Sequence, residues 1–293
     1  MRASEQPVVE WLWDCQSVWS QAADHAKRAI RRARVTALAL GAGAAAVGTA
    51  ASQVLTWHDG PGRALSFLAA VLVGLVPLAT RSTGPQQIRD WTRMRSLSEE
   101  LKSEAYMYLA GVTPYRDADA PQVLLERAER LLVHGSDLAA RTRAFEPRQR
   151  ALPAVTDVGS YLDLRVVGQI ERYYRPRAAG MSRRNSQFRT AELALIGSAT
   201  VLGAASGAYG ADWAAAWVAT VTTVSAAVIA HAEASRYAYQ EIEFSRTAAE
   251  LELIHRRHAT EPGPADDDAV VAQCEQVISV QNEGWMTKWL SEY

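Results

Sequence analysis

Residues that could bind a metal or act as nucleophiles are few and scattered in this sequence. The six histidines form no HExxH motif, and His255 and His258 lie among arginines, a pattern typical of a solvated helix. Cys15 and Cys274 stand near opposite ends of the chain, without the spacing of a zinc site or a disulfide framework. No serine lies in a GxSxG elbow. We therefore expect no enzyme activity, no bound metal and no cofactor.

One glycine-rich stretch has the form of a nucleotide-binding turn. Residues 41–46 read GAGAAA, which fits the GxGxxA pattern, and Asp59 follows it. In a dinucleotide-binding unit the helix after this turn needs a polar side, yet residues 42–57 contain no charged side chain before Asp59. The chain also lacks an alternating strand and helix pattern. The stretch therefore indicates an apolar helix rather than a nucleotide site.

Charged residues are distributed unevenly along the chain, and this distribution predicts its helices. A net charge of -1 and a mean hydropathy of -0.13 describe an ordinary soluble domain and give no reason to expect nucleic acid as a partner. Four stretches, however, contain no Asp, Glu, Lys or Arg, and each is long enough to cross a bilayer as a helix. They are residues 35–57, 64–80, 193–211 and 213–232.

The short breaks between these stretches predict two helical hairpins, 35–57/64–80 and 193–211/213–232. Gly60, Pro61 and Gly62 are expected to form the first turn, and residues 209–212 the second. The fold class is therefore an all-α membrane protein with four transmembrane helices and long cytoplasmic helical extensions. A soluble bundle with buried alanine-rich helices is the alternative, and it predicts a protein that stays in the supernatant after sedimentation.

Basic residues flank the predicted spans, whereas the hairpin turns carry one arginine and no lysine. By the positive-inside rule both termini of this multi-pass membrane protein lie in the cytoplasm. The same residues could hold anionic lipid headgroups. This basic cluster comprises Lys27, Arg28, Arg31, Arg32, Arg34, Arg183, Arg184 and Arg189.

The order of polar and apolar helices repeats once, which indicates an internal duplication. Each copy is expected to have polar helices before and after its hairpin, and residues 233–258 are expected to continue the fourth span as a cytoplasmic extension. The predicted segments are a first hairpin unit, a connecting helix and linker, a second hairpin unit, and an acidic linker with a C-terminal helix. Their bounds are 1–112, 113–153, 154–260 and 261–293.

Weakly polar side chains within the spans are the candidates for lining a pore. Polar groups in hydrocarbon should face protein or water, so each cluster predicts either a wet surface or hydrogen bonds between packed helices. The candidates are Thr49, Ser52, Gln53 and Thr56 in the first span and Thr220, Thr222, Thr223 and Ser225 in the fourth.

Small residues at intervals of four predict close helix packing in two spans. Ala199, Gly203 and Gly207 form such a ridge in the third span, and Ala44 with Gly48 forms a shorter one in the first. The pattern fits packing within one chain and contact between subunits equally well.

The second copy resembles the SLATT family, the SMODS- and SLOG-associating two-transmembrane effector domains of bacteria. Before the third span the resemblance rests on Tyr161, Arg165, Gln169, Tyr173, Tyr174 and Ala178. In the closing helix it rests on Glu275, Ile278, Gln281, Asn282, Glu283 and Trp285. The first copy has Trp19 and Ala22 where the second has a tyrosine pair and Ala178, so the tandem pattern is clearer in the second copy.

The resemblance implies an effector of bacterial conflict systems that opens pores in the bacterial inner membrane. Its trigger is a separate nucleotide-signalling or sensor protein, a ligand of the cytoplasmic helices, or another stimulus. The sequence therefore predicts an oligomeric protein, most simply a homo-oligomer, that forms a regulated pore or ion channel. The alternative is a non-conducting scaffold or sensor, whose hairpins only anchor a helical platform for a partner protein.

Overall fold

The computed structural model describes residues 6–260 and 267–290, of which residues 280–290 are described by their backbone alone. Over these residues the chain is helical and has no strand, which confirms the predicted fold class. Most of the predicted acidic linker lies outside the described residues.

The α-helices follow one another along the described residues. They are α1 (Gln6–Leu55), α2 (Asp59–Thr80), α3 (Pro85–Ala110), α4 (Ala120–His134), α5 (Val158–Tyr161), α6 (Arg175–Tyr209), α7 (Asp212–Ser235), α8 (Tyr237–Thr260) and α9 (Asp267–Leu290). Two π-helical segments, Leu162–Val167 and Ile170–Tyr174, join α5 to α6. Each of the four predicted spans lies in a helix that is long and apolar enough to cross a membrane.

The two hairpin tips differ in how they turn. The second tip is where the sequence predicts it, and Gly210 has a φ of 63°, a left-handed conformation that favours glycine. The first turn lies earlier than predicted, because α2 already begins at Asp59. Pro61 fits within this first helical turn, where its missing N–H would have no partner anyway. Gly62 is required there, since a Cβ would lie 2.6 Å from Cγ of Leu55.

The chain forms two compact units, and each draws segments from both halves of the sequence. The polar unit consists of Met1–Arg28, Pro85–Ala178 and Ile242–Tyr293. The membrane unit consists of Ala29–Gly84 and Ala179–Glu241, and it contains the four apolar stretches. The sequence-based segment bounds stay a prediction.

The polar unit has a continuous apolar core. One face of α3 is buried, with Met94 and Leu101 at 1% and 0% exposure. Phe244 and Leu251 of α8 and Val271 of α9 are equally buried. Because these side chains follow helical spacing, each helix presents one apolar stripe to a shared interior.

The extension after the fourth span is interrupted rather than continuous. Arg236 adopts a left-handed conformation with a φ of 48°, which ends α7, and α8 begins at the next residue. Two carbonyls of the last α7 turn accept side-chain hydrogen bonds, Ala234 from Arg34 at 2.9 Å and Ser235 from Gln240 at 2.7 Å. These donors satisfy groups that a helix end leaves without a partner.

Candidate functional site

The predicted polar face of the first span is divided by the fold. The Thr49 hydroxyl contacts the Thr220 hydroxyl of α7. Ser52 and Thr56 are exposed, and their hydroxyls donate to backbone carbonyls three residues earlier at 2.7 and 2.6 Å. Gln53 is half-buried. One member of the predicted set therefore joins two helices, and the others stay near or at the surface of the membrane unit.

The polar cluster of the fourth span is divided in the same way. Thr220 and Ser225 are buried, whereas Thr222 and Thr223 are exposed. The two exposed hydroxyls donate to backbone carbonyls one turn earlier, at 2.8 and 2.9 Å. Helix α7 therefore buries Thr220 and Ser225 within the chain and leaves the hydroxyls of Thr222 and Thr223 on the surface of a single chain.

The Thr49–Thr220 contact should contribute measurably to the stability of the membrane unit. Replacing each threonine by valine, singly and together, should give a coupling free energy of about 0.6 kcal/mol, typical of interhelical hydrogen bonds in membranes. Unfolding of the four proteins in detergent, followed by loss of helical signal, measures this value. Thr223→Val is the matched control and should leave stability unchanged. Strictly additive effects of the two valines would contradict the contact.

The two small-residue ridges have different surroundings. Ala44 is buried, and a Cβ placed on Gly48 would lie 3.8 Å from the Cβ of Ala69, so the first ridge packs on α2 within the chain. Gly203 and Gly207 are exposed, and a Cβ on either would meet no atom within 4 Å. Ala199 is half-buried. A single chain therefore leaves the glycines of the second ridge uncovered.

The basic cluster includes residues held by the protein and residues open to solvent. Arg34 binds the Ala234 carbonyl, and the Lys27 ammonium lies 5.4 Å from the centre of the Trp91 ring. The other members are exposed, which is compatible with contact to anionic headgroups. They are Arg28, Arg31, Arg32, Arg183, Arg184 and Arg189.

A buried ion pair ties the closing helix α9 into the polar unit. Arg165 donates from Nε and Nη2 to the two carboxylate oxygens of Glu275, both at 2.9 Å. The Tyr161 hydroxyl donates to Glu275 at 2.8 Å. The Arg165 side chain is 1% exposed. Its guanidinium carbon also lies 4.8 Å from the centre of the Tyr106 ring, which offers the cation a further electrostatic partner.

A second carboxylate of the polar unit is surrounded by cations. Glu99 binds Arg95 at 2.8 Å and lies 3.8 Å from Lys102. Burial by itself would raise the pKa of Glu99, but attraction to Arg95, Lys102 and Arg165 outweighs it and lowers the pKa to about 2. The pKa of Lys102 is lowered to about 8, chiefly because burial disfavours its charge. We call Arg95, Glu99, Lys102, Arg165 and Glu275 the ion network.

The π-helical segments place Arg165 in this network. The amide of Gly168 donates to the Asp163 carbonyl five residues earlier, which makes the turn wider than in an α-helix. Tyr161, Arg165 and Tyr174 are all buried. Arg165 and Tyr174 are nine residues apart, which is two and a half turns of an α-helix and would place them on opposite faces. The wider turns keep these side chains on one face, so they point into the same core.

The sequence identified only part of this network. Tyr161, Arg165 and Glu275 were noticed as points of family resemblance, without a partnership between them. Glu99 and its two cations were missed. Their spacing of three and four residues is typical of exposed ion pairs on a helix, and only burial distinguishes this set.

A groove lies beside the ion network in the polar unit. Its volume is about 330 Å³, and its lining includes Glu99, Ser103, Met107, Glu275 and Ser279. Both carboxylates already have protein cations as partners. The groove therefore gives no reason to expect a bound metal ion.

The part of the chain that contains the ion pair of Arg165 and Glu275 matches a protein-family model. Residues 161–285 match the model of SMODS and SLOG-associating 2TM effector domain 1. This segment, 125 of the 293 residues, is similar to SLATT domains, and we call it the SLATT-like segment. Residues 17–122 match a second model, described as a protein of unknown function (DUF4231), and the two matches are consistent with a tandem SLATT-like arrangement. Searches of curated proteins and of solved structures found no match.

The SLATT-like segment contains both partners of the buried ion pair. It begins at Tyr161, includes the two apolar helices α6 and α7, and extends into α9 beyond Glu275. The buried contacts of Tyr161 and Arg165 with Glu275 thus join the first residues of this segment to its last helix.

Proposed function

We propose that this protein is a non-enzymatic membrane effector of a bacterial conflict response, and that several copies assemble into a regulated pore. The match of residues 161–285 to a SLATT model supports the role of a two-transmembrane effector. One observation carries the step from effector to pore. A single chain leaves uncovered hydroxyls on α7, at Thr222 and Thr223, in a helix that is apolar and long enough to span a bilayer.

Assembly of several copies would give these surfaces a partner. The apolar stretch of α6 has none of its residues buried within one chain, and its glycine ridge is open to close approach by another helix. If copies pack through α6, the hydroxyls of α7 can gather around a common axis. Hydroxyl-lined walls suit the passage of water and small ions, whereas coupled transport ordinarily needs ionisable groups in the spans.

The proposed location is the bacterial inner membrane, with both termini in the cytoplasm. The exposed arginines before the first and third spans support this orientation through the positive-inside rule. The polar unit would then lie on the cytoplasmic side, where a nucleotide-signalling or sensor protein could reach it.

The ion network is the proposed control point of this pore. It holds α9 against the segment that leads into α6, so a signal that separates Glu275 from Arg165 would release this segment. The groove lined by Glu99 and Glu275 is an entry route to both carboxylates.

Purified protein reconstituted in vesicles tests the proposed pore. Vesicles that contain the wild-type protein should retain a trapped dye until they are activated. The variant Glu275→Leu, which removes the carboxylate from the ion pair, should release it without activation. Vesicles that stay tight with both proteins, at every protein density and in the presence of a cognate sensor protein, would refute a pore.

The wall of the pore can be tested by a pair of threonine variants. Thr223→Val should lower single-channel conductance, because a hydrocarbon side chain replaces a hydroxyl that contacts water. Thr200→Val is the matched control, since Thr200 on α6 is also exposed and its hydroxyl also donates to the carbonyl one turn earlier, at 2.9 Å. Equal conductance changes in both variants would argue against α7 as the wall.

A non-conducting scaffold is the second candidate function. It is favoured by exposed apolar side chains on the polar unit, notably Val133, Ile242 and Leu253, which could receive a partner protein. Under this hypothesis charge substitutions at these three positions abolish partner binding, and Thr223→Val changes nothing.

A further inference from the structure

Large aromatic side chains are exposed at both hairpin tips of the membrane unit. Trp57 follows the end of α1, and Tyr209 and Trp213 flank the turn between α6 and α7. Their exposed fractions are 76%, 86% and 55%. Side chains of this size bury most of their surface when protein is available to cover them. These three therefore meet something other than their own chain.

The contact between Thr49 and Thr220 shows that Trp57 and Trp213 lie at similar positions along the axes of α1 and α7. Trp57 comes eight residues after Thr49, and Trp213 comes seven residues before Thr220. At a rise of about 1.5 Å per residue, the tryptophans lie about 12 and 10 Å beyond this contact, in the same direction along the antiparallel pair. The aromatic residues of both tips thus belong to one level.

A second contact between the same helices marks the opposite level. Arg34 of α1 binds the Ala234 carbonyl of α7, fifteen and fourteen residues from the threonine contact. The same rise gives a total of about 34 Å along α1 and about 32 Å along α7 between the arginine level and the tryptophan level. The hydrocarbon core of a bilayer is about 30 Å thick. The two levels are therefore separated by one bilayer core.

We infer that Trp57, Tyr209 and Trp213 form an aromatic anchor that binds the headgroup boundary of the lipid bilayer on the side of the hairpin tips. An indole or phenol ring has an apolar body and a polar edge, so it is most stable where hydrocarbon meets headgroups. The position of the rings one core thickness from Arg34 favours lipid over a partner protein. This anchor fixes the depth of the hairpins, and it does not depend on whether the protein conducts.

Tryptophan quenching in vesicles tests the anchor with the full-length protein. The fluorescence of Trp57→Phe/Trp213→Phe, subtracted from that of wild type, gives the signal of the two tip tryptophans. Lipids brominated near the headgroup should remove most of this difference signal. Lipids brominated near the chain ends and aqueous iodide should each remove little of it. Phenylalanine retains an aromatic ring, so the variant is expected to fold.

Trp91→Phe is the matched control, because Trp91 is buried in the polar unit. Its difference signal should be insensitive to every brominated lipid. Three outcomes would overturn the anchor: strong quenching of the tip signal by iodide, which places the tips in water; strongest quenching by deep bromines, which places them in hydrocarbon; or no quenching by any agent, which means that a second copy or a partner protein covers them.

Discussion

Replacing Glu275 with leucine should destabilise the polar unit by about 3–5 kcal/mol, because it leaves the Arg165 cation buried without its carboxylate. Replacing Arg165 with methionine should have an effect of similar size, since Glu275 is also buried. Denaturant unfolding in detergent, followed by the near-ultraviolet signal of the aromatic core, measures the loss. These are among the largest single-site effects expected in this chain.

The double variant Arg165→Met/Glu275→Leu distinguishes a buried charge from a packing defect. With both charges removed, the double variant should be much more stable than either single variant and could equal wild type. The exposed pair Arg246 and Glu250 is the matched control, and Arg246→Ala should change stability by less than about 1 kcal/mol. A double variant whose loss equals the sum of the two single losses would show that the charges do not act as a pair.

The same variants separate stability from gating. If the ion network controls the proposed pore, Glu275→Leu should release dye from vesicles, and the double variant, which restores packing, should release less. If both variants are equally tight while only one is unstable, the network is structural and the proposed control point is wrong.

Acidification should loosen the polar unit through Glu99. Its pKa is about 2 in the folded protein, compared with an ordinary value of 4.5. A carboxyl with a lowered pKa contributes stability that is fully present above pH 4.5 and is lost as the pH falls toward 2. In this interval the carboxyl is protonated in the unfolded chain and still ionised in the folded chain, so acid favours unfolding. The pKa of Glu275 is lowered as well, so its contribution has the same sign. The loss attributable to Glu99 is on the order of 3 kcal/mol.

Unfolding free energies measured between pH 5 and about pH 2 test this prediction. Wild type should lose stability steadily over this interval, and Glu99→Gln should show a distinctly shallower slope, whatever its stability at neutral pH. Glu126→Gln, at an exposed position on α4, is the control and should keep the wild-type slope. Identical slopes in wild type and Glu99→Gln would mean that the attraction of Arg95 and Lys102 does not stabilise the charged form.

Much of the architecture could be predicted from local sequence because its causes are local. A membrane-spanning helix can be recognised from a stretch of sufficient length without charged residues, and a hairpin tip can be recognised from a short polar break between two such stretches. Helical spacing likewise places side chains such as Met94 and Leu101 on one face of α3, and that face is buried. The resemblance of the second copy to SLATT domains also came from residues within short segments.

The sequence by itself thus determined an all-helical protein with four membrane-length spans in two hairpins and a SLATT-like second copy. Only the tertiary structure decided which faces meet. Thr220 and Thr223 are equivalent in sequence, yet one contacts Thr49 and the other is exposed. Arg165 and Glu275 are 110 positions apart, and no periodicity connects them. The physical reason is that helical spacing fixes the direction of a side chain relative to its own helix, whereas its partner depends on how distant helices pack.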